Sequence, residues 1–169
     1  MLSLVNLFLN ICLMRHGPER LPASQFLLGL VIAINAITSL TLTTMLNDTP
    51  LITSSTLVVV NLAGTALLTW GALSFVSHTP RFNQTFLAVV GVDLLLTLVM
   101  GVVLLLGLDA NGDPRPFAST LWLMLTIWSL AVLSFIFHKA MEIHMLPATG
   151  VALFVMIFSV AVGQAAIDG

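Results

Sequence analysis

One acidic residue, Asp93, lies deep inside a long apolar segment of this sequence. At the rise of a helix it is about 13 Å from the N-terminal end of that segment, which is predicted below to be the cytoplasmic, or inner, end. A carboxylate at such depth costs about 2.5–3.5 kcal/mol on insertion scales, so it needs a polar partner, a wet cavity or a proton. Two roles are possible: a proton or ion site, or a protonated carboxyl group that ties two helices together, worth about 0.6 kcal/mol.

Three other polar residues fall at similar depths in their own apolar segments. Counted from the inner end of each segment, the helical rise puts Asn35 at a depth of about 16 Å in the first segment. It puts Ser129 at a depth of about 13–16 Å in the fourth segment, whose inner end is its C-terminal end. Ser159 lies slightly deeper in the fifth segment. With Asp93, these residues are predicted to form one polar layer inside a helical bundle.

A second set of candidates could bind a metal or sense pH. It consists of His16, His78, His138, Glu142 and His144. His138 and Glu142 are one helical turn apart, so with His144 they could share a metal if the helix continues that far. The pattern HxxxExH lacks the HExxH register, which favours a polar rim that caps helices and meets lipid headgroups. Imidazole titrates near pH 6.5, so such a rim could also sense cytosolic pH.

The loop DANGDP contains a third arrangement of acidic groups. Asp109, Asn111 and Asp113 have the 1-3-5 spacing of a calcium loop. Pro114 stands where that loop needs glycine, and Thr120 stands where it needs a bidentate glutamate. A polar turn is therefore predicted.

The composition identifies the class of protein that must position these residues. The 169-residue chain is 59% hydrophobic and 7% charged, with a mean hydropathy of +1.11, whereas soluble domains are about 25% charged. An integral membrane protein is indicated. The net charge of -2 argues against nucleic acid as a partner, and the single Cys12 excludes an internal disulfide framework.

Five apolar segments reach or approach the roughly 20 residues that a helix needs to cross a bilayer. The predicted fold is all-α, a polytopic membrane bundle of five transmembrane helices joined by short connections. The predicted spans, which form one transmembrane domain over 24–169, are residues 24–46, 55–77, 84–108, 117–140 and 147–166.

Residues 1–23 precede this domain. Ser3, Asn6 and Asn10 form one polar stripe along the otherwise apolar residues 2–14. About 13 residues reach only some 20 Å, too short to span the hydrocarbon layer. We therefore predict a short N-terminal interfacial helix, or one packed along the bundle, followed by a turn.

Basic residues predict the orientation. Arg15, Arg20, Arg81 and Lys139 all fall on one side of a five-span alternation, and only Arg115 falls on the other. Because basic residues concentrate in cytoplasmic connections, the N-terminus is predicted to be cytoplasmic and the C-terminus outside. The four histidines map to the same cytoplasmic side.

Small residues mark possible close contacts between helices. Gly64 and Gly71 share a face in the second span, and Gly91 could seat a neighbouring helix beside Asp93. Further small residues crowd the end of the fifth span: Ser159, Ala161, Gly163 and Ala165.

Two stretches resemble bacterial Yip-domain proteins: RFNQTFLAVVGVD at 81–93 and LWLMLTIWSLAVLSFIFHKAMEIHMLPATGVALFVMI at 121–157. The resemblance covers roughly residues 24–166, and five spans with a cytoplasmic N-terminus agree with it. The short loops and the absence of a cytosolic domain predict a bacterial inner membrane. Eukaryotic members, which are linked to Rab GTPases, carry a hydrophilic region here reduced to 23 residues. The proline that bacterial members often carry in the third span is missing. The resemblance thus implies fold and topology, without a GTPase partner.

The first functional hypothesis is a non-enzymatic, Yip-like scaffold or accessory subunit that acts through helix contacts. Its partners would be the lipid bilayer and either a second copy or another membrane protein. No cofactor and no metal are predicted, since the sequence lacks a phosphate loop, a GxSxG motif and a Cys–His pair. The alternatives are a small proton- or ion-coupled transporter organised on Asp93, and a membrane enzyme with a metal at His138, Glu142 and His144.

Overall fold

A computed structural model describes residues 2–47, 50–107 and 116–165 of the chain. Two 3-10 turns, Pro18–Arg20 and Thr79–Arg81, lie between its helices. The α-helices in the described residues are α1 (Leu2–Cys12), α2 (Gln25–Asn47), α3 (Leu51–Phe75), α4 (Phe82–Gly107), α5 (Pro116–Met141) and α6 (Met145–Ala165).

The predicted all-α fold is confirmed, and the five long helices α2 to α6 are each long and apolar enough to cross a membrane. The chain is therefore a multi-pass helical membrane protein. Much of the surface of these helices is apolar, as it must be against lipid; Phe26, Ile52 and Leu146, for example, are all exposed.

The start of α3 differs from the prediction by four residues, since the helix begins at Leu51 and not at residue 55. The polar run TSST at 53–56 lies across the predicted start. In the structure, Ser55 and Thr56 donate their hydroxyls to the carbonyl oxygen of Ile52, at 2.8 and 2.9 Å. Hydroxyl groups that bond the preceding turn are tolerated in a helix.

The fifth span begins at Met145, two residues before the predicted start. Pro147 lies in the first turn of α6, where a backbone N–H has no helical partner and a proline is therefore accepted. Only three residues separate α5 from α6, and Glu142 makes the turn with a φ of 55°.

The tight core lies at one end of the bundle, where α1, α3 and α5 end and α2, α4 and α6 begin. We call it the basic end because it carries Arg15, Arg20, Arg81 and Lys139. Fully buried side chains form two clusters there. One contains Ile11, Leu87, Val132 and Ile136, and the other contains Leu73, Phe137, Ala148 and Ala152.

Helix α1 packs along α4, the second of its two predicted placements. Phe8 and Ile11 are buried in the first core cluster, and a Cβ atom at Gly91 would lie 2.2 Å from the Phe8 ring. Gly91 thus seats a neighbouring helix two residues from Asp93. Burial also raises the pKa of Cys12 to about 11, so its thiol stays protonated at neutral pH.

Helices α1 and α3 end in the same way, without glycine. Met14 and Ser77 adopt left-handed φ values of 55° and 59°. In α1, the backbone N–H of Arg15 donates to the Asn10 carbonyl at 2.8 Å. In α3, the backbone N–H of His78 donates to the Leu73 carbonyl at 2.9 Å. These are Schellman caps, which satisfy the last carbonyls of a helix.

Thr69 in α3 is fully buried, and its hydroxyl oxygen has no hydrogen-bond partner in the described structure. An unpaired buried hydroxyl costs about 1–3 kcal/mol. Thr69→Val, which keeps the shape and removes the hydroxyl, is therefore expected to raise the free energy of unfolding by about 1 kcal/mol. Reversible denaturation in detergent micelles measures it.

The control is Thr85→Val in α4. Thr85 is equally buried, but its hydroxyl donates to the Arg81 carbonyl at 2.9 Å. This variant is expected to lose stability or stay unchanged. A Thr69→Val protein less stable than wild type would show that the Thr69 hydroxyl is not an unpaired group.

Candidate functional site

A cavity of about 520 Å³ lies among α2, α3, α4, α5 and α6. All four residues of the predicted polar layer line it, each from a different helix: Asn35 from α2, Asp93 from α4, Ser129 from α5 and Ser159 from α6. The four residues that were predicted to lie at similar depths in the bilayer therefore also face the same interior cavity.

The contact between Asp93 and Asn35 is the central geometry of this cavity. Asn35 Nδ2 donates to Asp93 Oδ2 at 2.9 Å and also lies 3.3 Å from the Val90 carbonyl oxygen. Ser39 Oγ donates to Asn35 Oδ1 at 3.4 Å. Asn35 is only 2% exposed, so both ends of its amide are fixed and one N–H is directed at the carboxyl group.

Asp93 itself is exposed, although it lies midway along α4. Its side chain lines the main cavity and a second one of about 290 Å³ formed by α2, α4 and α5. Thr97 and Ser129 also line both cavities. A solute in either space can therefore reach the carboxyl group.

The other two residues of the predicted layer do not bond Asp93 in the described structure. Ser129 Oγ donates to the Thr126 carbonyl of its own helix at 2.8 Å. Ser159 Oγ donates across to Asn61 Oδ1 of α3 by a long hydrogen bond of 3.4 Å. The layer thus consists of an Asn35–Asp93 pair, a separate Asn61–Ser159 pair and a serine bonded to its own backbone.

Asn61 was missed by the sequence analysis. It lines the cavity from α3 and also accepts a weak hydrogen bond from Thr65 Oγ1 at 3.5 Å. The signal was present, since Asn61 follows three valines and precedes Leu62 within the second apolar segment. At the rise of a helix it lies about 24 Å from the inner end of the predicted span 55–77, so the depths that grouped Asn35 with Asp93 did not include it.

Basic residues are absent from the described lining of both cavities. The Lys and Arg side chains of the described residues lie at the basic end, beyond the two core clusters. The charge that an ionised Asp93 carries is therefore not balanced by any described residue around it. A proton or a cation from outside the protein must neutralise it.

The cavity extends away from the basic end. Its lining residues Thr43, Leu57 and Gln164 lie close to the opposite ends of α2, α3 and α6. The basic half is filled by the two core clusters. The described lining of the cavity therefore runs from Asp93 toward the end of the bundle opposite the basic end.

The histidine rim forms a small polar cluster at the basic end. Arg81 Nη1 lies 2.6 Å from Glu142 Oε1, and His78 Nε2 lies 3.7 Å from Glu142 Oε2. The hydrogen bond and the positive charge of Arg81 hold the pKa of Glu142 below its ordinary value of 4.5. This cluster joins the α3–α4 turn to the α5–α6 turn.

A metal shared by His138, Glu142 and His144 does not fit this geometry. Helix α5 ends at Met141, so Glu142 is not one helical turn from His138, and Arg81 takes its carboxylate instead. His138 Nδ1 pairs with the Ile143 carbonyl, and His144 is exposed. Among the described residues, no three His, Cys, Asp or Glu side chains are placed to hold a metal ion.

The remaining histidine and the predicted calcium-like loop are separate from both sites. His16 Nε2 accepts from Arg20 Nη1 at 3.3 Å, next to the first 3-10 turn. Asp109, Asn111 and Asp113 lie outside the described residues.

Glu142→Gln is expected to lower stability only slightly, because the Arg81–Glu142 pair is exposed and solvent screens it. Because the pKa of Glu142 is lowered in the folded protein, its pairing stabilises the folded state at pH values above the ordinary pKa of 4.5. That stabilisation is lost as the pH falls through the lowered pKa and the carboxylate is protonated. Thermal midpoints of both proteins should therefore differ at neutral pH and converge in acid. A difference that grows in acid would contradict the pairing.

Comparisons of the chain with protein-family models, with curated proteins and with solved structures find no match. The resemblance to bacterial Yip-domain proteins therefore stays a prediction. The strongest guide to the function of this chain is the chemistry of the cavity around Asp93.

Proposed function

We propose that this protein is a small proton-coupled cation transporter organised on Asp93. The observation that carries the proposal is a carboxyl group exposed in a cavity between helices long enough to cross a membrane. Intramembrane acids that face a cavity commonly mark an ion or proton pathway. The alternative role, a carboxyl group that only ties helices together, requires no cavity around it.

Proton coupling is supported by the isolated charge. No Lys, Arg or His among the described lining residues faces Asp93. One carboxyl group can hold a proton or face a cation, and binding of either weakens binding of the other. Exchange of a proton for a cation at Asp93 would then let either gradient drive the other.

The direction in which the cavity extends completes the proposal. We place the protein in a bacterial inner membrane with its N-terminus and basic end in the cytoplasm, because basic residues concentrate on the cytoplasmic side. In this orientation the cavity extends from Asp93 toward the outside, and the two core clusters lie between it and the cytoplasm. Transport would require the basic half to open in turn, as in other alternating-access proteins.

Liposomes with a trapped pH-sensitive dye test this function. A proton gradient is set, and Na⁺, K⁺ or guanidinium is added outside. With wild-type protein, at least one of these cations is expected to dissipate the gradient, and with Asp93→Asn none should. Equal rates in wild-type, Asp93→Asn and protein-free liposomes would contradict the proposal.

The scaffold function stays a prediction, and Gly71 is the residue that favours it. A Cβ atom at Gly64 would meet the Phe158 ring of α6, so that glycine serves the bundle itself. A Cβ atom at Gly71 would meet nothing within 4 Å, and Leu67 and Trp70 beside it are exposed. Such a surface suits a partner helix, and crosslinking in native membranes tests it.

A further inference from the structure

We infer that the main cavity binds a small organic cation that has N–H donors at its charged end and an apolar body. This inference rests on the proposed transport function and names its substrate class. Its basis is the size of the cavity, the acceptors around Asp93 and the nature of the walls.

The size of the cavity suits a molecule better than a bare ion. Small-molecule sites are typically about 300–1,000 Å³, and this cavity is about 520 Å³. A dehydrated metal cation needs a shell of oxygen ligands, about six to eight at 2.3–2.6 Å for Ca²⁺. The Asn35 amide nitrogen lies 2.9 Å from Asp93 Oδ2 and presents a hydrogen where such a shell needs oxygen.

The acceptors around Asp93 suit N–H donors. An ionised carboxylate has about four lone-pair sites. Asn35 Nδ2 is the donor that the described structure gives this carboxylate, through Oδ2, and the side chain is otherwise exposed to the cavities. An ammonium or guanidinium group can therefore place its own N–H groups on the remaining sites, as a charge-assisted hydrogen bond.

The walls complete the fit. Beside the polar groups, the lining is aliphatic and includes Leu62, Leu96, Leu133 and the adaptable Met156. None of the described lining residues is aromatic. Quaternary ammonium ligands are usually held by aromatic faces, so the walls favour a cation that bonds through N–H and packs an aliphatic body.

Calorimetric titration of the purified protein tests this directly. The probe is cyclohexylmethylguanidinium, which stays charged over the accessible pH range because a guanidinium group does not lose its proton. The two matched compounds are the trimethylammonium analogue, which lacks N–H groups, and cyclohexylmethanol, which lacks charge. The protein variants are Asp93→Asn and, as a matched removal of a carboxylate outside the cavity, Glu142→Gln.

The probe is expected to bind wild type and Glu142→Gln alike, and Asp93→Asn about ten- to a hundredfold more weakly. The trimethylammonium analogue should bind wild type more weakly than the probe. Cyclohexylmethanol should bind weakly and be indifferent to Asp93→Asn. Circular dichroism and elution volume confirm that each variant is folded.

Three results would overturn the inference. Equal affinity of the probe for wild type and Asp93→Asn would mean that only the apolar body binds. Equal affinity for the trimethylammonium analogue would remove the N–H requirement, and displacement of the probe by equimolar Na⁺ would point to an inorganic cation.

The proposed transport function fails by a different route. If Na⁺ or K⁺ drives the Asp93-dependent flux in liposomes and the probe does not bind, transport stands and the organic substrate class is wrong. If no cation drives flux, the transport proposal is wrong even where the probe binds.

Discussion

Asp93→Asn is expected to abolish proton-coupled flux in liposomes while leaving the bundle folded. A carboxamide can neither release a proton nor balance a cation, so the exchange proposed at this position cannot occur. The fold should persist because asparagine has nearly the same shape, and its Oδ1 can still accept from Asn35 Nδ2, now 2.9 Å from the acid. The measurement is the initial rate of the trapped dye response.

The stability of Asp93→Leu, which can neither ionise nor accept from Asn35 Nδ2, separates the two roles of Asp93. Placing a carboxylate at this depth costs about 2.5–3.5 kcal/mol on insertion scales, and a hydrogen bond between membrane helices returns about 0.6 kcal/mol. If the acid is kept for transport, Asp93→Leu should be as stable as wild type or more stable. If the acid is kept to hold α2 against α4 by accepting from Asn35, Asp93→Leu should be less stable than wild type.

Two further variants act as controls. Asp93→Glu retains a carboxyl group and is expected to keep measurable flux at a changed rate. Ser129→Ala removes a hydroxyl that already donates to its own helix at 2.8 Å, so flux should change little. Loss of flux in Ser129→Ala as complete as in Asp93→Asn would show that the assay reports general damage to the cavity.

The fold was predictable because the bilayer fixes the length of what crosses it. Hydropathy and the need for about 20 residues were enough to place five spans, mostly within two residues of their ends. The exception is the start of α3. Serine and threonine are poor signals at a membrane boundary, because their hydroxyls can bond the helix backbone as Ser55 and Thr56 do.

For the residues that line the cavity, the sequence predicts the depth in the membrane but not the direction in which each side chain points. The helical rise gives the depth of Asn35 and Asp93, but their contact also requires that α2 and α4 be neighbours with these faces turned together. Rotation of a helix about its axis comes from packing, and apolar residues on every side of these helices leave it open. Here a small residue supplied part of the answer, since Gly91 admits the Phe8 ring and turns that part of α4 toward α1.

The condition on which the metal hypothesis depended is not met, for a local reason. It required α5 to continue through Glu142, and no glycine marks the end of the helix. A non-glycine residue with a φ of 55° ends it at Met141. Because left-handed backbone is uncommon outside glycine, asparagine and aspartate, the sequence carries little signal for such a stop.

Phe8→Ala is expected to lower the free energy of unfolding by about 3–5 kcal/mol, the largest stability effect among the variants considered. Phe8 is 8% exposed and belongs to the core cluster that joins α1 to α4. Its removal leaves a void beside Gly91, where the ring now lies. Denaturation in detergent micelles measures the loss, and Leu9→Ala, on the exposed side of the same helix, is the control expected to change little.

Gly91→Ala tests the same contact from the other side. Its Cβ atom would lie 2.2 Å from Phe8 Cε1, so the ring must move, and such overpacking costs about 1–3 kcal/mol. In the Phe8→Ala background the added methyl group has room, so the two losses should be clearly less than additive. Additive losses would mean that the ring does not rest on Gly91. Because α1 reaches α4 two residues before Asp93, a protein that has lost this contact should also show altered Asp93-dependent flux, whereas Leu9→Ala should not.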